Sequence, residues 1–349
     1  MRQAVRRNWR AVLLGGVALA AACALLPDAA AASRRQGAWP PPPPSTPLGH
    51  DTHELHFGTT RLLLSYAARD FTLAHAEIVD WVLRSARATA TFFGRFPVSE
   101  VRITLHATNG GRGVMEGLAW TTPGARIRLV IGRETSARVL RSDSTLVHEM
   151  THLGFPDLDD THLWLHEGIA TYVESIASAQ ANEITPVQLW RHFVEEMPQG
   201  LPEKGDNGLD DTPSEDRRYW GGAMFCLVAD VEIRRRTGNR RGLKDALRAI
   251  LDAGGTLATM WEVERALGVG DAAVGVPVLQ ELYAGWKDRS VAPDLDALWA
   301  QLGVDTAGER IRLLDTAPLA AIRRAITEPP QRPLLLVGPR LIHDATQPQ

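Results

Sequence analysis

The five residues His148-Glu149-Met150-Thr151-His152, near the middle of the chain, form the most informative motif in the sequence. Residues four apart on an α-helix lie on one face, so the two imidazoles can bind the same zinc ion. Glu149 projects beside them, where its carboxylate can take a proton from a water molecule at the metal. Neutral imidazoles also leave the Lewis acidity of the metal intact. The stretch therefore predicts a zinc-binding helix with Glu149 as general base.

Two histidines do not complete a zinc site, so the motif needs a third ligand. With 11 histidines in 349 residues, the pattern arises by chance in roughly two or three sequences per hundred. A second, antiparallel helix is predicted from Trp164, after a loop that contains Gly154 and Pro156. This helix carries His166 and Glu167 side by side. Because adjacent helical positions point about 100° apart, only one of the two can face the metal.

The two helices together resemble the gluzincins, zinc metallopeptidases of the MA clan in which HExxH is followed by a WLxEGxAxY helix. The second helix of this chain contains WLHEGIATY, from Trp164 to Tyr172. The resemblance implies that Glu167, rather than His166, is the third zinc ligand. The metzincin pattern would require Gly and His at the positions of Phe155 and Leu158, so it is excluded.

Two polar side chains follow Glu167 on the same helical face. Thr171 and Glu174 lie four and seven residues after it. One of them is predicted to hold a ligand imidazole by a hydrogen bond from behind the metal. For Glu174, an ordinary solvated charge is the alternative.

A segment further along the chain extends the resemblance to the catalytic domain of bacterial glycyl aminopeptidase-like proteins. It begins Tyr219-Trp220-Gly221-Gly222-Ala223 and looks like the Y-x-x-G-A segment of those proteins. The resemblance implies that the Tyr219 hydroxyl stabilises the oxyanion of a tetrahedral intermediate, for which a phenol is chemically suited. The alternative is an aromatic residue that packs at the start of a helix.

A segment before the zinc helix bears on the substrate. Gly113-Val114-Met115-Glu116-Gly117 resembles the G-x-M-E-N edge strand of gluzincin aminopeptidases, with Gly117 in place of the usual Asn. The resemblance implies that Glu116 holds the free α-amino group of a peptide and so favours an aminopeptidase. A solvated glutamate at a strand edge would carry no such meaning.

The hydrophobic patterns favour an α+β protein, and with the resemblance they predict a thermolysin-like zincin unit with zinc in a cleft. A small mixed N-terminal sheet with helices is assigned to residues 50–140, from strands at 61–66, 101–105, 113–121 and 127–131 and a helix at 71–93. An all-helical, zinc-binding lobe is assigned to residues 141–328, with a surface loop at 200–216. Its helices are predicted at 146–153, 163–179, 186–197, 219–236, 242–253, 256–267 and 276–287. An irregular tail, 329–349, follows.

The start of the chain predicts export. Residues 1–32 combine early arginines, an apolar run and small residues before Ala30 or Ala32, as in a cleaved signal peptide, and residues 33–49 form a proline-rich linker. An uncleaved membrane anchor is one alternative. A loose lipobox that ends at Cys23 would make a lipoprotein leader, and Arg6-Arg7 resembles a twin-arginine signal. Each version places the protein in the periplasm, in the cell envelope or outside the cell.

Net charge and pI limit the classes of molecule that this protein is expected to bind. The net charge of -3 and the pI near 6.4 provide no cationic field for nucleic acid, so the predicted partner is a peptide or protein substrate. Membrane attachment would pass through a lipidated Cys23 or the uncleaved leader. The predicted activity is zinc-dependent peptide hydrolysis, first as an aminopeptidase. The alternatives are a cell-envelope endopeptidase and a non-catalytic, zinc-stabilised binding domain.

Overall fold

A five-stranded mixed sheet opens the computed structural model, which describes residues 52–67, 71–308 and 310–330. The strands are β1 (Thr52–Phe57), β2 (Thr60–Tyr66), β3 (Glu100–Thr108), β4 (Val114–Trp120) and β5 (Arg126–Gly132). Their spatial order is β1-β2-β3-β5-β4. The inner pairs β2/β3 and β3/β5 are parallel, and the outer pairs β1/β2 and β4/β5 are antiparallel. The predicted mixed sheet is confirmed, with β1 as a strand that the sequence patterns missed and β4 at one edge.

Helix α1 (His75–Phe93) covers one face of this sheet. Its buried residues Ile78, Trp81 and Val82 belong to the same core as the apolar residues of β3 and β5. The helix begins four residues later than the predicted 71 because the Glu77 side chain accepts the backbone N–H of Ala74 at 2.9 Å and so caps the first turn. The long parallel connection from β2 to β3 is thus a helix that buries the sheet.

The rest of the described chain is mainly helical. The helices are α2 (Ala137–Arg141), α3 (Thr145–His152), α4 (Leu163–Gln180), α5 (Pro186–Glu196), α6 (Gly222–Arg236), α7 (Leu243–Asp252), α8 (Val263–Val274), α9 (Val278–Trp286), α10 (Leu295–Leu302) and α11 (Ala320–Thr327). Two short antiparallel strands, β6 (Val304–Asp305) and β7 (Arg312–Leu313), depart from the all-helical prediction. Helices α10 and α11 lie beyond the last predicted helix, and a π-helical turn, Arg217–Gly221, precedes α6.

The helix predicted at 256–267 is wrong in its position. Residues 256–259 form a turn closed by the bond from the Thr259 N–H to the Thr256 carbonyl, and the following stretch pairs with Asp157 as an isolated β-bridge. Helix α8 continues instead to Val274, through Gly270. A Cβ on Gly270 would lie 2.7 Å from the Leu279 side chain, so this glycine permits close packing and does not end the helix.

Helix α4 is the centre of the helical lobe, with all but two of its 18 residues buried. It contacts α1, α3 and α6, and it meets α6 where Gly168 lies against Gly222. Among the helices of the described ranges, none has both the length and the apolar character needed to span a membrane. The predicted signal peptide, linker and Cys23, and the tail from residue 331, lie outside those ranges.

Candidate metal centre

Three side chains from two helices converge on one point. His148 and His152 lie on α3 and Glu167 lies on α4, and one donor atom from each falls within 4.8 Å of the others. The Oε2 atom of Glu167 is 3.1 Å from His148 Nε2 and 3.7 Å from His152 Nε2. Two imidazoles and one carboxylate are a donor set that zinc takes in catalytic sites, where a fourth position stays open. These residues form a site for one Zn²⁺ ion.

The start of α3 ties this site to the edge strand of the sheet. Asp143 accepts the N–H of Thr145 at 2.9 Å through Oδ1 and the N–H of Val114 at 3.2 Å through Oδ2. Burial raises the pKa of Asp143, against the effect of these bonds. Leu146 and Met150 point into the sheet core, so the opposite side of α3 presents its histidines to α4.

His166, the competing ligand, does not join the cluster. Its ring lies edge-on to Phe155 at 5.4 Å and tilted to His152 at 6.0 Å between centroids. Burial lowers the pKa of His166. The helical offset of adjacent residues therefore brings Glu167 to the metal site and turns His166 toward the packing around Phe155.

Glu174, and not Thr171, holds a ligand imidazole. Its Oε2 atom lies 3.0 Å from Nδ1 of His148, which leaves Nε2 of the same ring to face Glu167. Ser144, a residue that sequence reasoning missed, donates its hydroxyl to the other oxygen of Glu174 at 2.9 Å. The Thr171 hydroxyl is buried without a hydrogen-bond partner among the described residues. A carboxylate behind a ligand histidine fixes the ring orientation and increases its basicity.

Glu149 lies against the backbone of the edge strand β4. A Cβ built on Gly117 would be 2.4 Å from Glu149 Oε1, so the carboxylate fills the space that any side chain at position 117 would take. Burial, aided by the charges of Glu167 and Glu174, raises the pKa of Glu149 to about 8, while His148 and the Ala119 N–H act in the opposite direction. The predicted base thus stands between the metal ligands and a strand edge.

The charges of the three ligands influence one another because their side chains lie close together, with His152 and Glu167 buried and His148 partly buried. Burial lowers the pKa of His152 to about 3. Burial would also lower the pKa of His148, but its bonds to Glu167 and Glu174 outweigh that effect and raise the pKa well above its usual value. For Glu167, burial is outweighed by the neighbouring histidines, and its pKa falls to about 2. Metal binding at this site would therefore compete with a proton on His148.

Tyr219 lies over the same cluster. Its ring stacks on His148 with centroids 6.0 Å apart and planes inclined by 22°, and the residue is 37% exposed. The negative charge of Glu167, followed by burial of the hydroxyl, raises the pKa of Tyr219 well above its usual value. The side chain thus faces the metal site and is not a buried packing aromatic.

Glu116 is not brought into the cluster. Successive residues of a strand point to opposite faces, and the Cβ direction of Gly117 leads to Glu149. The Glu116 carboxylate is instead paired with the guanidinium of Arg128 on the neighbouring strand β5. The structure therefore places Glu116 on the other face of β4 from Glu149.

Solved structures resemble this chain over part of their length. An aminopeptidase N family protein from Idiomarina loihiensis matches with a TM-score of 0.57 and 13% identity, over 73% of this chain and 49% of that one. An M1 zinc metallopeptidase from Deinococcus radiodurans matches with a TM-score of 0.45 and 16% identity, over 69% and 51%. This chain spans about half the length of either structure. The likeness to the first protein confirms the predicted α+β fold. No family model and no curated protein matches this sequence.

Proposed function

We propose that this chain is a zinc-dependent peptide hydrolase. One observation carries the proposal: His148, His152 and Glu167 converge on a metal site while Glu149, which is not a ligand, stands beside it against β4. A purely structural zinc site needs no general base and keeps no open position. This argues against the binding-domain alternative.

From the composition of residues 1–32 alone, we also propose that the protein acts after export.

The residues around the metal suit amide hydrolysis. Zinc held by the three ligands supplies a Lewis acid that polarises a carbonyl and lowers the pKa of water. Glu149 is placed to accept a proton and to return it to the leaving amine, and burial raises its pKa and so makes the carboxylate a stronger base. The Tyr219 hydroxyl stays protonated at neutral pH and can donate a hydrogen bond to an oxygen that gains negative charge.

The free edge of β4 suits an extended peptide. Among the described strands β4 pairs only with β5. The N–H groups of Val114 and Ala119 are bonded to Asp143 and Glu149, and the other N–H and C=O groups of its outer side can pair with a substrate backbone. Because Glu149 contacts the same strand at Gly117, a peptide docked there would pass the general base.

Within this class we propose aminopeptidase activity. The support is the fold shared with the aminopeptidase N family protein, which is an argument by analogy. One observation favours the second candidate, an endopeptidase: Glu116, the predicted holder of the substrate amino group, is paired with Arg128. An endopeptidase does not need to bind a free amino group of the substrate.

Three proteins test the proposal: the full chain, its Glu149→Gln variant, and Glu195→Gln as a control at an exposed position of α5. Each is assayed for bound zinc and for hydrolysis of a peptide library with free or N-acetylated amino ends. We expect near-stoichiometric zinc in all three, hydrolysis by the parent and the control, and a loss of about 10²- to 10⁴-fold in Glu149→Gln. Cleavage of free amino ends only would support the aminopeptidase, and cleavage of both libraries the endopeptidase. Zinc in every protein with hydrolysis in none would overturn the proposal.

A further inference from the structure

The π-helical turn Arg217–Gly221 carries Tyr219 to the metal site. A π turn holds one more residue than an α-helical turn, is rare, and occurs often at functional sites. Because successive helical residues are rotated by about 100°, loss of the extra residue would turn the Tyr219 side chain away from His148. Something outside the turn must therefore hold its geometry.

Arg217 anchors this turn from its first residue. Its side chain is among the largest fully buried ones, and its Nε atom donates to Asp206 Oδ2 at 2.9 Å. Two more bonds from the guanidinium reach the carbonyls of Gly200, at 2.5 Å, and Val291, at 3.5 Å. Asp206 is equally enclosed, with 5% of its side chain exposed. The turn is thus bound to the loop at 200–206 and to the chain after α9.

Backbone distances show how closely the loop at 200–206 packs on the π-helical turn. A Cβ built on Gly200 would lie 2.2 Å from both the Gly221 nitrogen and the Trp220 carbonyl carbon. On the other side, a Cβ on Gly222 would lie 2.2 Å from the Trp164 carbonyl oxygen of α4. The π turn is therefore enclosed between the loop and the helix that carries Glu167.

We propose that Asp206 and Arg217 are positioning residues that act through Tyr219. A buried ion pair adds little stability over a well-packed apolar pair, and its directional bonds can instead define one conformation. Here those bonds define the conformation of the turn that sets the Tyr219 ring over His148. This inference rests on the proposed peptidase function for its kinetic consequence, but the anchoring of the turn is measurable without activity.

The kinetic test is a double-mutant cycle. Asp206→Asn keeps the shape of the side chain and removes the charge, and we expect it to lower kcat by about 10- to 100-fold through misplacement of Tyr219. KM and bound zinc should change by less than about twofold. In a Tyr219→Phe background the same substitution should cost less than about twofold, because the group it positions is already gone.

Arg217→Lys is the second variant, in case Asp206→Asn folds poorly. Lysine keeps the charge but lacks the planar fork that binds the carboxylate and the two carbonyls together. It should show the same dependence on Tyr219. Asp230→Asn is the matched control, since the Asp230–Arg234 pair of α6 is equally buried, with 5% and 7% of the side chains exposed. Its effect on kcat should be the same with Tyr219 or Phe at position 219.

Amide hydrogen exchange gives the readout that needs no substrate. In Asp206→Asn, exchange at residues 217–222 should rise by about tenfold or more, with no change across 163–180. Unchanged exchange at 217–222 would overturn the inference. An equal loss of kcat with Tyr219 and with Tyr219→Phe would also overturn it. If the zinc-loaded parent hydrolyses no peptide, the proposed function fails, and the exchange result alone decides the anchoring.

Discussion

At Gly117 the chain leaves space for Glu149, the proposed general base. The Glu149 carboxylate lies where a Cβ would be, with Oε1 at 2.4 Å and Cγ at 2.9 Å from that position. We predict that Gly117→Ala displaces this carboxylate and lowers kcat by about tenfold or more, since a small misplacement of a catalytic group is costly. KM and bound zinc should stay within about twofold of the parent, as measured by steady-state kinetics and metal analysis.

The control for this prediction is Glu149→Gln combined with Gly117→Ala. If the glycine acts by making room for the carboxylate, adding Gly117→Ala to Glu149→Gln should cause little further loss. A Gly117→Ala protein with unchanged kcat would contradict this prediction. A raised KM at unchanged kcat would indicate that the space serves the substrate and not the base.

We predict different effects for substitutions at Glu174 and Thr171, although both residues follow Glu167 on the same helical face. Glu174→Gln weakens the bond to His148 Nδ1 and should lower zinc affinity by about 10- to 100-fold. Thr171→Val removes a buried hydroxyl that has no hydrogen-bond partner among the described residues, so it should be neutral or stabilising. Competitive chelator titration measures the first effect and urea unfolding the second. Equal zinc affinity in both variants would contradict the assignment of Glu174 as the support of His148.

At the scale of elements, the close approach of α4 and α6 brings Glu167 and Tyr219 to one site. A Cβ on Gly168 would lie 2.3 Å from the Gly222 backbone, which cannot move without separating the helices. We predict that Gly168→Ala lowers the free energy of unfolding by about 3 kcal/mol through overpacking. Urea denaturation measures this change, and bound zinc should fall with it because Glu167 is the adjacent residue.

Gly285→Ala is the control at this scale. Gly285 lies inside α9, and its Cβ would meet no atom within 4 Å. Alanine has the higher helix propensity, so this variant should gain up to about 1 kcal/mol. A Gly168→Ala protein as stable as the Gly285→Ala protein would show that the two helices can separate at little cost.

At the scale of the whole molecule, the metal site joins two hydrophobic cores. Leu146 and Met150 of α3 belong to the core of the sheet, whereas Leu165 and Ile169 of α4 belong to the core of the helical lobe. A ligand that binds only the folded state stabilises it by about 4 kcal/mol at a free concentration of 1,000 times Kd. We predict that chelation lowers Tm by on the order of 10 °C and that added zinc restores it, as followed by calorimetry.

Two variants check that this stabilisation comes from the ligands. Glu149→Gln should keep the zinc-dependent rise in Tm, because Glu149 does not belong to the donor cluster. His148→Ala should lose most of it. A zinc-dependent rise that survives in His148→Ala would place the stabilising metal elsewhere in the chain.

Features set by short spacing in the sequence were predictable. The i, i+4 period of a helix places His148 and His152 on one face whatever surrounds them, and the apolar alternation of β3 and β5 marks their buried sides. The α+β class and the two histidine ligands followed from these patterns, whereas Glu167 was predicted from the resemblance to the gluzincins. The displaced helix at 256–267 shows the limit: α8 continues past residue 267 to Val274, and Gly270 inside it allows close packing on Leu279, a contact that no local pattern encodes.

Features that join distant segments depended on tertiary structure. Gly117 and Glu149, and Asp206 and Arg217, meet only because a strand packs on a helix and a loop closes over a turn. The side of β4 on which Glu116 points is a further case, since one residue of register moves a side chain to the opposite face. Local sequence was enough to show which residue types could bind zinc and move a proton. The packing of separate elements decided where each of them points, because contact geometry between elements is not encoded in local periodicity.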